Sequence, residues 1–366
     1  MHRASTSSEG AVTSLLRTHR IMLDCEIFAT EGRDGFMHAP DGFLNAGTAL
    51  VTAGLSVAAV GIGLRQSRQQ LADRQIPLAG LAAAFVFAAQ MFNFPVASGT
   101  TGHLLGGVLV AILLGPATGC LVVTVVIVIQ ALIFADGGLS ALGYNVLNMA
   151  VITSFGGYAL YRGLRRLLPP NASGVVVAGG LAAAGSVVLA AMAFSIEWLF
   201  GATAPVPFDT VFGAMVGVHL LIGIGEGIIT AMTLAAVLAA RPDLVAGASD
   251  LDPMGLRVKP VMTARGFLLA GALTVVVAAT VVSQFAAPSP DGLERVAIDN
   301  GIAPAAEDHR LAHTVFADYA TRGLSNETLS LAVAGATGAT IAAAVGLGLL
   351  TAIRTRRPAN SAALRT

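Results

Sequence analysis

The chain has 366 residues, 55% of them hydrophobic and 11% charged, whereas an ordinary soluble domain carries about 25% charged residues. Lipid is therefore its main solvent, and a formal net charge of zero leaves no global field to draw nucleic acid or an acidic partner. Two cysteines, Cys25 and Cys120, are too few for a disulfide framework or a multi-thiolate metal centre, so any metal site must use nitrogen or oxygen ligands.

Residues 1–36 fit no membrane span. Arg17, His19, Arg20, Asp24 and Glu26 interrupt their apolar stretch, which leaves no signal-peptide core, and no small-x-small cleavage pattern precedes Met37. The segment reads either as a disordered leader or as translated sequence ahead of a true start at Met37. The second reading is favoured, because Glu31-Gly32-Arg33 is what a purine-rich ribosome-binding stretch encodes when translated.

A span of the hydrocarbon core needs about 20 largely apolar residues. On that standard the fold class is all-α, a polytopic integral membrane protein of about nine transmembrane helices: 46–64, 78–98, 103–116, 117–135, 140–161, 174–199, 210–239, 266–286 and 328–352. The third segment is short and rich in glycine, which suits a broken or tilted helix lining a cavity.

Basic residues concentrate in alternate connections: Arg65, Arg68 and Arg74; Arg162, Arg165 and Arg166; Arg241, Arg257, Lys259 and Arg265; and Arg354, Arg356 and Arg357. The opposite loops, around 38–45, 99–102, 136–139 and 200–209, hold no Lys or Arg. Short cytoplasmic loops carry the excess of Lys and Arg, so Met37 and His38 are expected outside a cell membrane and the C-terminus in the cytoplasm.

Pro242, Asp243, Asp250, Asp252 and Pro253 mark 241–265 as a polar cytoplasmic linker. It divides a seven-span unit, 37–240, from a two-span unit, 266–366, whose exterior segment 287–327 is mildly acidic. The single lysine, Lys259, lies between Val258 and Pro260, so no nucleotide-binding phosphate loop can form. Uphill transport would draw its energy from partner subunits or an ion gradient.

Met-His at a free N-terminus is a chelate in itself. The amine, the deprotonated amide nitrogen of His38 and its imidazole Nδ1 close two fused rings on one ion, and planar nitrogen coordination suits Ni(II) or Cu(II), with Co(II) possible. The arrangement requires that nothing precede Met37. His103, in Gly99-Thr100-Thr101-Gly102-His103, is the natural fourth ligand: alone it reads more readily as an interfacial histidine with a satisfied hydrogen bond, and an exterior Met-His beside it reverses that balance.

Gln130, Asp136, Asn145 and Asn148 form a second polar set; they would orient a ligand imidazole or bind helices together. His219 and Glu226 lie seven apart on one helical face. Their role is a layer behind the ligands, a metal path or a structural partnership.

These residues, taken as an ordered series, resemble the substrate-binding membrane component of energy-coupling-factor (ECF) cobalt and nickel transporters, the CbiM/NikM family. The matching motifs are Met37-His38-Ala39-Pro40-Asp41-Gly42-Phe43-Leu44, Asn93-Phe94-Pro95, Gly99-Thr100-Thr101-Gly102-His103 and Gly115-Pro116. They continue with Gln130-Ala131-Leu132, Asp136-Gly137-Gly138, Asn145-Val146-Leu147-Asn148 and the run from His219 to Glu226. Pro290-Asp291-Gly292-Leu293-Glu294 and Phe316-Ala317-Asp318-Tyr319 resemble the small CbiN/NikN companion component, so the chain looks like a fusion of both. The resemblance implies Met37, His38 and His103 as metal ligands and Co2+ or Ni2+ as transported substrate, with no bound organic cofactor. It also implies a transmembrane coupling component and a pair of ABC-type ATPases as partners in the lipid membrane, without nucleic acid. Ala39 departs from the branched apolar residue usual at that place, and the 36-residue extension would cap the amine.

Two other classes compete. A self-sufficient secondary transporter would depend on an ion gradient. An intramembrane metal-dependent hydrolase would use His219 and Glu226, but no His-Glu-x-x-His or Gly-x-Ser-x-Gly element is present.

Overall fold

The computed structural model describes residues 36–70, 75–97, 99–248 and 260–355. The extension 1–35 and the middle of the linker, 249–259, therefore lie outside the described residues, as do Arg74, Arg257, Lys259, Arg356 and Arg357.

The chain is helical almost throughout. In order come α1 (Ala46–Gln70), α2 (Ile76–Gln90), a two-residue hairpin of β1 (Phe94–Pro95) and β2 (Thr101–Gly102), α3 (Gly107–Leu114) and α4 (Pro116–Ile133). Then follow α5 (Leu142–Asn145), a π-helical run (Val146–Gly156), α6 (Gly157–Arg165), α7 (Ala172–Gly201), α8 (Phe208–Ala240), α9 (Ala264–Thr280), α10 (Gly292–Asp299) and α11 (Glu327–Thr355).

Among the described residues, six helices are long and apolar enough to cross a membrane, and Ile76–Gln90 is a shorter apolar helix. Of the about nine expected segments, three take a form other than one long α-helix. The segment expected over 78–98 is helical for only 15 residues before the hairpin. The segment 103–116 reduces to the eight residues of α3, about 12 Å at 1.5 Å per residue against a hydrocarbon core of about 30 Å. The segment 140–161 is helical from Leu142 to Arg165 but changes to π-helical winding through its centre.

Local chemistry explains the break after α3. Gly115 takes φ +89°, a conformation side chains resist, and Pro116 opens the next helix at the position where its missing N–H is not needed. Within one helical turn the chain doubles back, with Gly119 packed against the backbone of Ala111.

Small residues set the other helix contacts. Gly180 of α7 and Gly227 of α8 face each other so closely that a Cβ on either would meet the other's carbonyl oxygen, at 2.9 and 2.7 Å. Such contacts carry helix association where lipid removes the hydrophobic driving force. Leu50, Leu55, Leu220, Ile224, Ile228, Leu269 and Leu273 stay exposed and form the apolar surface that lipid would cover.

The two-span unit is not an appendage. Ala279 of α9 and Ala334, Ala339 and Ala342 of α11 belong to the same apolar core as Phe87, Val108 and Phe134. Gly338 gives Phe87 and Phe134 their room, since a Cβ there would collide with both rings.

Glu226, the isolated carboxylate of α8, is completely buried. Its oxygens accept the backbone N–H of Leu105 at 2.6 Å and of Gly106 at 2.9 Å. It thus satisfies donors at the start of α3 that have no partner within that helix, and its charge suits the positive end of the helix. Replacing Glu226 by Leu should cost about 2–4 kcal/mol, because two buried N–H groups lose their acceptor. Glu226→Gln, which keeps one acceptor, should lose less. Thermal unfolding of the purified protein reads both, with a larger fall in midpoint expected for the leucine variant.

Candidate metal site

The segment from Met37 to Leu44 has no helix or sheet to satisfy its backbone, yet much of it is buried: His38 is 1% exposed and Phe43 fully enclosed. Side chains and loops supply the missing partners. The Asp136 carboxylate accepts the His38 N–H at 3.2 Å. Asn145 accepts the N–H of Ala39 and donates to its carbonyl, as a neighbouring strand would. Gly138 donates its N–H to the same Ala39 carbonyl. The Asp41 carboxylate accepts the N–H groups of Leu139 and Ser140 and the Ser140 hydroxyl. Gly138 must be glycine here, because a Cβ would overlap Asp41. Tyr144 donates to the Pro40 carbonyl, and Thr203 donates to those of Gly42 and Phe43.

The hairpin delivers His103 to the same place. The His38 and His103 rings lie 5.5 Å apart between centroids and nearly perpendicular, at 76°. His38 Nδ1 is 3.5 Å from Asp136 Oδ2, and among the described residues neither ring nitrogen of His38 has a hydrogen-bond partner. His103 Nε2 lies 3.4 Å from the Met37 carbonyl oxygen and 3.8 Å from Asp291 Oδ2. A partly open cavity adjoins His38, His103 and Asp291, bordered also by Asn145, Asn148 and His219.

The predicted residues thus separate into groups. Met37, His38, His103, Asp136 and Asn145 come together. Asn148 borders the cavity and donates to Glu197 at 2.8 Å. Gln130 is buried, and its carbonyl accepts the N–H of Asp136, closing the turn that presents that carboxylate. His219 reaches the cavity, with Nδ1 hydrogen-bonded to the Met215 carbonyl at 2.7 Å. Glu226 serves α3 instead and is not among the groups that border the cavity.

The two-span unit contributes directly. Thr101 donates its N–H and hydroxyl to the Pro290 carbonyl, and Gly292 lies against Ile222, Val218 and His219. Leu293 and Gly292 border the cavity, while Glu294 donates its N–H to Asp291 at the start of α10. From the far end of the exterior segment, the Tyr319 hydroxyl donates to Asp136 Oδ2 at 2.8 Å. Burial pushes the Asp291 carboxyl well above its ordinary range, against the lowering effect of the Glu294 N–H.

Asp41, Glu197 and Tyr319 were missed as site residues on sequence grounds. Glu197 meets the criterion that singled out Glu226, a carboxylate inside an apolar helix. Asp41 and Tyr319 stand inside the quoted motifs, where only their partners reveal what they hold.

Fold and site together define a polytopic membrane protein with a histidine-lined pocket closed by an N-terminal segment. Residues 38–244 match the family model of the cobalt uptake substrate-specific transmembrane region, CbiM, and residues 265–355 match that of the PDGLE domain. The chain is 36% identical over 278 residues to the fused nickel transport protein NikMN of Archaeoglobus fulgidus, covering 76% of this chain and 87% of that one. It is 37% identical over 203 residues to the cobalt transport protein CbiM of Geobacter sulfurreducens, covering 53% of this chain and 57% of that protein. A fused nickel transport protein NikMN of Rhodobacter capsulatus is 37% identical over 197 residues, 50% of this chain and 57% of its own. The chain belongs to the CbiM family, as a membrane component of cobalt and nickel transport carrying a PDGLE domain, and is a transporter component rather than an enzyme.

Glu294 gives segment 287–327 a pH signature. Burial raises its carboxyl from 4.5 to about 7, against the lowering effect of the Asp291 backbone. The folded state therefore holds this proton more tightly than the unfolded chain, so the contribution to stability is full below 4.5 and is lost as pH rises through about 7. The thermal midpoint should fall across that window in the native protein, and Glu294→Gln should flatten the fall.

Proposed function

We propose that the chain captures Co2+ or Ni2+ from outside the cell at a nitrogen site formed by the Met37 amine, the His38 amide nitrogen and Nδ1, and His103 Nε2. The observation that carries this reading is a pair of facing, buried imidazoles, one with both ring nitrogens unpartnered, beside a cavity. A ring nitrogen taken out of water without a partner is costly unless a ligand supplies one. The amide proton that such a chelate must release is already directed at Asp136.

The amine is available when Met37 begins the working chain, so residues 1–36 are read as absent from it. The basic connections put the site on the exterior face and the C-terminus in the cytoplasm. Two membrane units are read, 37–240 and 266–366, joined by the cytoplasmic linker 241–265, with the exterior segment 287–327 lying across the site. Energy for uptake comes from a pair of ABC-type ATPases acting through a membrane coupling component.

N-terminal sequencing of the purified protein, with calorimetry of Co2+ and Ni2+ binding, tests the chelate. A chain starting at Met1 that still binds either ion tightly would overturn it. His38→Ala and His103→Ala should each weaken binding by more than the 10- to 100-fold, roughly, that outer-shell partners cost. Unchanged affinity in both removes these residues from the site. Uptake that stops on gradient collapse while ATP is maintained would identify a secondary transporter instead.

A further inference from the structure

The nitrogen site just proposed leaves Asp291 unexplained. This carboxylate is 6% exposed and belongs to the PDGLE segment, yet it stands at a histidine of the CbiM segment. Oδ1 caps α10 by accepting the Glu294 N–H at 2.8 Å, and Oδ2 turns to His103 Nε2 at 3.8 Å. That separation is too long for a hydrogen bond. Two donors each about 2.0–2.2 Å from one divalent ion stand about 3 Å apart at a right angle and about 4 Å apart when opposed, so Oδ2 lies within about 1 Å of the right-angle position beside His103 Nε2.

Asp136 is placed differently. Both its oxygens are engaged, one by the His38 N–H and the other by the Tyr319 hydroxyl. Backbone N–H groups at the start of α10, that of Glu294 on Oδ1 and that of Leu293, hold Asp291 in position with Oδ2 toward the ligand ring. A buried carboxyl is costly to ionise, and a divalent ion between it and the imidazole would stabilise its charged form.

Resting on the nitrogen-site reading, we infer that Asp291 Oδ2 is a further ligand to the captured ion, donated by the PDGLE domain and lying off the plane of the four nitrogens. Its consequence is selectivity. Four nitrogens in a plane suit Cu2+ and Ni2+, and raw affinity rises from Co2+ through Ni2+ to Cu2+. A charged oxygen outside the plane adds most for an ion that takes five or six ligands and least for one content with four. Asp291 therefore favours Co2+ over Ni2+ and Cu2+. It also makes the two family segments share one ion, so closure of the exterior segment and capture are a single event.

The variant that separates ligand from helix cap is Asp291→Ser. Serine keeps an oxygen for the Glu294 N–H, as helix starts commonly do, but is too short to reach the ion. The protein, with its N-terminus sequenced as Met37, is purified in detergent and loaded separately with Co2+ and Ni2+. Affinities are read by competition and the ligand count by X-ray absorption on the Co2+ form. The expected result is one oxygen fewer around cobalt, with Co2+ affinity down about tenfold or more and Ni2+ affinity down about threefold or less. An unchanged ligand count and an unchanged Co2+ to Ni2+ ratio overturn the inference. If Asp291→Ser does not fold, Asp291→Asn keeps cap and shape while removing the charge, and the same fall in the ratio is expected. His103→Ala distinguishes the two levels. Loss of binding there with Asp291→Ser unaffected overturns only this inference, whereas retained binding in His103→Ala overturns the nitrogen site and the extra ligand together.

Discussion

Non-helical backbone inside a membrane protein survives only where other parts of the chain satisfy it. The segment from Met37 to Leu44 is the place where that constraint governs this molecule. Its N–H and carbonyl groups are met by Asp136, Asn145 and Gly138, and by the hydroxyls of Tyr144 and Thr203. Asp41 returns the favour by holding the loop that supplies Asp136 and Gly138. The histidine within the segment is thereby fixed among acceptors that bind its backbone and leave its ring nitrogens unclaimed.

The rest of the fold can be traced to the need to build that receptacle. The π-helical run after Asn145 carries Asn148 and Met149 to the edge of the cavity, in keeping with the tendency of π-helical winding to occur at functional sites. The Gly115-Pro116 break ends α3 after eight residues. Glu226 answers the exposed donors there. Segment 287–327 of the PDGLE domain then packs over the histidine pocket: Glu307 donates its N–H to the Asp41 carbonyl, Pro290 accepts from Thr101 and Tyr319 reaches Asp136. Histidine pocket and PDGLE domain are parts of one structure.

Charge is scarce in the chain, and each buried ionisable group has an identifiable neighbour. Glu226 serves a helix end, Glu197 takes Asn148, and Asp41 and Asp136 hold the N-terminal segment. A carboxylate in an apolar helix is a good sign of function in general, but here the two buried within long helices, Glu197 and Glu226, are engaged by amide and backbone groups. The carboxylates nearest the histidines come from loops, where the backbone can bring them close.

Much of this was legible in one dimension. Apolar runs of the required length, basic residues in alternate connections and the ordered motifs around Met37, His103 and Pro290 defined a polytopic membrane protein and its family, because lipid imposes a length and a composition on every segment that crosses it. Spacing along a helix also placed Asn145 and Asn148 on one side. What a linear reading could not supply was partnership. His219 and Glu226 share a helical face but face different neighbours, and α3 looks like a span until its eight residues are counted in space. Asp291 and Tyr319 meet His103 and Asp136 across separations of 188 and 183 residues. Hydrogen bonding and metal ligation depend on distances of a few ångströms, and only the packing of α9 and α11 into the common core brings those distances about.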